Sequence, residues 1–189
     1  MSFSTLNDSD LASLPPSLDE MIRAELADDE KLLWVGRPRA SRIILPFVPI
    51  SIFGIFFGGF ALFWIAMASH APWPFALFGI PFVLIGLTMI TSPFWGAFAA
   101  SKICYALTNR RAITWEPSPW AGTQIRSYGR AELTSIARNQ RGDGSGDLIF
   151  QEFVTYGRRG RTNVTRRGFF GIDRVREVEN LIRTNLPGR

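Results

Sequence analysis

The chain has 189 residues and a formal net charge of +5, unevenly spread: residues 1–42 sum to −3, residues 43–101 hold no Asp, Glu, Lys or Arg, and residues 102–189 sum to +8. A water-soluble fold cannot solvate so long an uncharged stretch, so the middle of the chain is expected to lie in lipid. One cysteine (Cys104) and one histidine (His70) exclude an intrachain disulfide and leave zinc, Cys–His and Ser–His chemistry without their residues; no catalytic, cofactor or metal site is expected.

Three segments follow from that charge map: a cytoplasmic N-terminal segment 1–42, a two-helix membrane hairpin 43–99 and a cytoplasmic domain 100–189. The first thirty residues lack a basic region followed by an apolar run, so no cleavable signal peptide is expected. Residues 1–14 are polar. Ser17-Leu18-Asp19-Glu20 is a capping-box pattern opening a short amphipathic helix over 18–27, with Leu18, Met21, Ile22 and Leu26 on one face. Residues 30–38 (EKLLWVGRP) read as an extended arm in which Leu32 and Trp34 alternate with Leu33 and Val35; Trp34 is either an interfacial anchor or buried against the downstream domain.

Spans are expected at 43–68 and 75–99, each long enough for a hydrocarbon core of about 30 Å, with Pro72 and Pro74 in the tight connector. Lys31, Arg37, Arg39 and Arg42 precede the first span, and Lys102, Arg110 and Arg111 follow the second. The positive-inside rule puts both termini in the cytoplasm, and Trp64, Trp73 and Trp95 fall near the expected boundaries. Gly54 and Gly58 form a GxxxG suited to close helix contact, within the hairpin or between two copies. Pro81 and Pro93 are expected to kink or end the second helix, and Ser51, Thr88, Thr91 and Ser92 to bond back to carbonyls of their own helices. With no ionisable group inside the spans, ion translocation by this chain alone is not expected.

After the spans the pattern is β-like. Runs at 103–108, 112–115, 124–128, 132–138, 147–155 and 162–167 are separated by Asn109-Arg110, a candidate two-residue turn, and by Gly-rich punctuation. The Arg141–Asp147 stretch (RGDGSGD) lacks the residues of a phosphate or calcium loop and reads as a mobile hairpin loop. A terminal helix over 173–185 carries Ile172, Val175, Val178, Ile182 and Leu186 as its apolar stripe, with Asp173 as N-cap. The fold class is thus a membrane α-helical hairpin plus a mostly antiparallel α+β domain closed by a C-terminal helix.

The segments EKLLWVGRP (30–38), YALTNRRAI (105–113) and the terminal Gly-Ile with its helix (171–186), arranged around two spans, resemble bacterial membrane proteins that carry a bacterial pleckstrin-homology domain. That resemblance implies a bacterial inner-membrane protein with a seven-stranded curved PH-like sheet closed by a helix. It supplies no catalytic residues. Only six strands follow the spans, so the seventh comes either from the Trp120 loop or from residues 31–36.

Nineteen of the 21 basic residues are arginine. Candidate lipid-headgroup contacts are Lys102, Arg110, Arg111, Arg158, Arg159, Arg161, Arg166 and Arg167; the competing reading makes them topological signals on a solvated sheet. Expected partners are membrane lipids, anionic ones included, an unidentified protein and a second copy of the chain. Nucleic acid is not expected, because aromatics at sheet spacing serve more often in cores. The expected role is a non-enzymatic scaffold or interaction protein at the cytoplasmic leaflet, with an accessory subunit of a membrane enzyme or transporter as the alternative.

Overall fold

A computed structural model describes residues 16–70, 74–118, 122–157 and 162–186. They form an α+β protein with antiparallel sheets, divided into two compact units: residues 1–39 with 102–189, and residues 40–101.

In the first unit, β1 (Leu32–Gly36), β2 (Cys104–Thr108), β3 (Ala112–Ser118) and β4 (Gly122–Tyr128) make a four-stranded sheet in that order. A second sheet holds β5 (Ala137–Gln140), β6 (Gly146–Tyr156) and β7 (Thr162–Ile172). β1 pairs antiparallel with β2, from Leu32↔Thr108 to Gly36↔Tyr105. Residues 40–101 are therefore an insertion between two paired strands, and the domain expected at 100–189 takes its first strand from the arm before that insertion. Of the two sources left open for a seventh strand, the arm supplies it.

β2 is buried along its whole length because apolar material covers both of its faces. Tyr105 and Leu107 join Phe150, Phe169, Ile172 and the terminal helix α7 (Val175–Asn185) in one core. Cys104 and Ala106 join Ile113 and Trp115 beneath helix α1 (Pro16–Glu25), whose Leu18 and Ile22 close a second core. Each fully buried large side chain contributes about 1.5–3 kcal/mol, and Trp115 and Phe169 are both fully buried. The amphipathic helix expected at 18–27 forms over Pro16–Glu25, so Ser17 lies inside it rather than capping it, and its apolar face covers this core. Strict alternation along the arm fails at a β-bulge between Leu32 and Trp34. The extra residue puts Leu33 and Trp34 together against the first core and leaves Leu32 and Val35 at the second. Trp34 lies 5.3 Å from the Phe169 ring, so of its two readings burial against the domain holds.

Three further expectations are corrected in this unit. The strand expected at 132–138 is a turn as far as 135, because Leu133 N–H bonds the Gly129 carbonyl and buries its side chain; the strand is 137–140. Asp173 does not cap α7. Arg174 precedes the helix at φ 47° without a side-chain cap bond, Val175 N–H donates to the Gly144 carbonyl (3.1 Å), and Asp173 instead accepts from Arg39. The 141–147 loop, read as mobile, is tied down. Asp143 accepts the Ser145 amide (3.0 Å) and hydroxyl (2.7 Å) and pairs with Arg39, while Asp147 accepts the Gly171 amide (2.7 Å). Ser145, then Arg39, hold the Asp143 carboxyl down at about 2.

The second unit is helical: α2 (Ala40–Ile44), a 3-10 turn, α3 (Val48–Ala68), α4 (Pro74–Leu77), α5 (Ile80–Ile90) and α6 (Ser92–Ser101). The run Ala40–Ala68, 29 residues, is long and apolar enough to cross a bilayer; α4 to α6 pass the same test only as one span bent by 43°. Pro93 explains that bend, since it has no N–H for the Met89 carbonyl. Ser92 Oγ donates to that carbonyl instead (2.7 Å). The neighbouring Ile90 carbonyl accepts from Ser51 Oγ (2.9 Å), so Ser51 bonds across to the other helix rather than back along its own. Thr88 and Thr91 do bond back, to Leu84 and Leu87. Pro81 sits in the first turn of α5, directly after the break at residues 78–79 that separates it from α4.

Candidate functional site

Two of the arginines expected at headgroups are structural. The β2–β3 connection is the two-residue turn at Asn109-Arg110, with Thr108 N–H donating to the Arg111 carbonyl (2.9 Å). The turn is stitched to the strand before the insertion by Lys31 N–H to Asn109 Oδ1 (2.9 Å) and Asn109 N–H to the Lys31 carbonyl (3.0 Å). Beneath it lies Glu30, its side chain 1% exposed. Glu30 accepts from Thr108 Oγ1 (2.6 Å), Arg111 Nε (3.0 Å) and the Ala27 amide (3.2 Å). Arg111 also donates to the Glu25 carbonyl (2.9 Å) and Ser127 Oγ (3.0 Å). Burial alone would raise the Glu30 carboxyl, but the bonds from Arg111, Thr108 and Ala27 outweigh it and hold the group at about 2. Arg111 is thereby withdrawn from headgroup contact, and Arg110 pairs with Asp29 at the surface.

Among the described residues the remaining candidates do not converge on that turn. Lys102 is exposed just before β2. Arg158, Arg159 and Arg161 lie outside the described residues, as do Trp73 and Trp120. Arg166 and Arg167 belong to β7 on the other sheet, Arg166 paired with Glu152 (3.5 Å) and Arg167 stacked 4.9 Å from the Phe153 ring centre. No known family model, curated protein or solved structure matches the chain. Function must therefore be read from the surfaces themselves. Among the described residues no three His, Cys, Asp or Glu side chains come together as metal ligands. The Cys104 thiol is buried, and burial pushes it up to about 11, which leaves it poorly nucleophilic.

The feature that sequence reading missed is the outer half of the β6–β7 hairpin. Both strands have eleven residues, about twice the usual length. Gly146–Phe150 are buried, whereas Glu152–Tyr156 and Thr162–Arg166 lie beyond the core and expose both faces. Tyr156 (80% exposed), Val154 and Val164 share one face, with Val154 directly opposite Val164 and Glu152 opposite Arg166. Phe153 and Arg167 share the other. The available signal was strand length: the apolar run continues through Tyr156 after the core positions are filled.

The helix-packing candidates are brought together. Gly54, Gly58 and Ala61 are the buried residues of α3, and Gly86 that of α5. A Cβ on Gly86 would stand 2.7 Å from Gly58 Cα, and one on Gly54 2.9 Å from the Ile90 backbone nitrogen. The GxxxG contact is thus intramolecular, α3 against α5, and its third glycine is on the other helix.

Proposed function

We propose that the chain is a non-enzymatic, membrane-anchored scaffold or interaction protein of the bacterial inner membrane, presenting a PH-like sheet unit at the cytoplasmic leaflet. One observation carries this reading: residues 40–101 are packed inside out for water. Glycine and alanine occupy the interior, while Phe56 (73% exposed), Phe60 (64%), Phe78 (65%) and Phe94 (79%) point outward. Exposing such a continuous apolar surface to water is prohibitive, whereas in acyl chains it costs nothing and small residues let helices close up. Two antiparallel sheets of four and three strands with a terminal helix in their core support the PH-like reading, as does the TNRR turn that the resemblance singled out. The absence of charge from residues 43–101, with cationic flanks on both sides, supports the cytoplasmic placement of both termini.

The test is extraction and labelling of the full chain. Alkaline carbonate should leave it in the membrane pellet. A Cys replacing His70, in a Cys104→Ala background, should react with an impermeant maleimide from the outer side of spheroplasts. Recovery in the supernatant, or labelling only after permeabilisation, would refute anchorage or orientation respectively. Purification in mild detergent then decides the role. A single enzyme or transporter recovered in fixed stoichiometry would replace the scaffold reading with that of an accessory subunit.

A further inference from the structure

A two-stranded hairpin in water is at best marginally stable, yet here the β6–β7 ladder stays paired to Tyr156↔Thr162, well beyond the core that supports its inner half. Its outer half has features that solvation alone does not explain. Tyr156, Val154 and Val164 form a small exposed apolar face, flanked by the Arg166–Glu152 ion pair. Residues 151–167 carry five arginines against the single carboxylate of Glu152. An arm for an acidic aqueous partner would need the cations without the valine pair and tyrosine. A purely apolar docking edge would not need the cations. Both together match a surface with an anionic plane over an apolar layer, where tyrosine and arginine side chains preferentially sit.

We infer that the outer half of the β6–β7 hairpin is an anionic-lipid docking arm: Tyr156, Val154 and Val164 enter the headgroup–acyl boundary, and the net positive charge of the arm attracts it to lipid phosphates. This rests on the membrane reading above. That reading puts the arm on a unit joined to the bilayer by two covalent connections, at residues 39–40 and 101–102. Docking is then intramolecular and needs only weak contacts to be populated. Salt should weaken it, because the attraction to phosphates is screened while the apolar contact is not.

The full chain carrying Cys104→Ala and Thr162→Cys, labelled with an environment-sensitive dye, would be reconstituted in nanodiscs of phosphatidylcholine alone or with phosphatidylglycerol. Emission should shift to the blue in the anionic discs, revert in high salt, and lose at least half of its shift in a Val154→Asp/Tyr156→Asp variant whose cooperative melting is unchanged. Three results would overturn the arm: equal emission in both discs, a shift that survives the double substitution, or one that tracks the number of chains per disc, as a second copy would give. A separate label at Phe60→Cys, quenched by brominated acyl chains in both kinds of disc, reports anchorage independently. If that quenching is absent, the membrane reading fails rather than the arm alone.

Discussion

Glu30 shows how one residue can look like surface in the sequence and be interior in the fold. It sits in an acidic run, Asp28-Asp29-Glu30, that reads as solvated charge, and Arg111 sits in a basic run that reads as a headgroup contact. Folding puts the two together because β1 lies beside β2, and that pairing spans an insertion which no local spacing rule can bridge. Removing one partner from a buried pair strands the other charge. Arg111→Leu and Glu30→Gln should each lower stability by about 3 kcal/mol, read from denaturant unfolding in detergent. The acid dependence has a definite sign. The folded Glu30 carboxyl lies at about 2, below its ordinary value of 4.5, so its contribution is fully present above pH 4.5 and is lost as pH falls toward 2. The stability gap between the native chain and Glu30→Gln should close over that window. A gap independent of pH would show that the pair is not the cause. Arg174, which stays exposed, is a case of backbone conformation instead. An arginine at φ 47° pays a left-handed backbone cost that glycine avoids, so Arg174→Gly should raise stability, by about 0.5–1 kcal/mol, if its ion pair with Glu177 at the surface is as weak as exposed pairs usually are.

Among the elements, the helix pair was half legible. GxxxG marks a groove on one helix, and Gly54 and Gly58 were found that way, but the motif says nothing of the ridge that fills it. Gly86 stands alone in IPFVLIGLTMI, without a small residue four positions away, so only the packed structure identifies it. Gly86→Leu should force α3 and α5 apart and cost about 1–3 kcal/mol, seen as a lower melting temperature in detergent. Gly59→Leu is the matched control: a Cβ there meets nothing within 4 Å, and its effect should be within about 0.5 kcal/mol. Equal losses in the two variants would mean that helix propensity or detergent contact, not the Gly58–Gly86 approach, sets stability. Strand existence was readable from alternation in the same way, while the bulge at Leu33 and the overhang of β6 and β7 were not. Both depend on where the core ends, which is a property of the two sheets together.

At the scale of the whole molecule, the chain order conceals the architecture. A linear reading divides it into a leading segment, a hairpin and a trailing domain, because charge changes sharply at residues 42 and 102. The sheet unit instead uses both sides of the uncharged stretch. β1 is an edge strand whose Val35 and Trp34 enter the two cores, and the preceding α1 covers Trp115, Ile113 and Cys104. A fragment of residues 102–189 therefore lacks its edge strand and exposes the whole face that α1 buries. It should be largely unfolded, with exposed apolar surface that binds dye and aggregates. The complementary design should fold. Gly36 and Tyr105 are paired across the ladder, so the chain leaves and re-enters the unit at neighbouring points. Replacing residues 43–101 by a short Gly/Ser linker closes a small loop at little entropic cost and deletes the uncharged apolar segment. The product should be soluble without detergent, monomeric, and should unfold in one cooperative transition that Glu30→Gln weakens as it does the full chain. If residues 102–189 alone melt cooperatively at the same temperature as the linked form, then β1 and α1 are dispensable, and the insertion topology is not what holds this fold together.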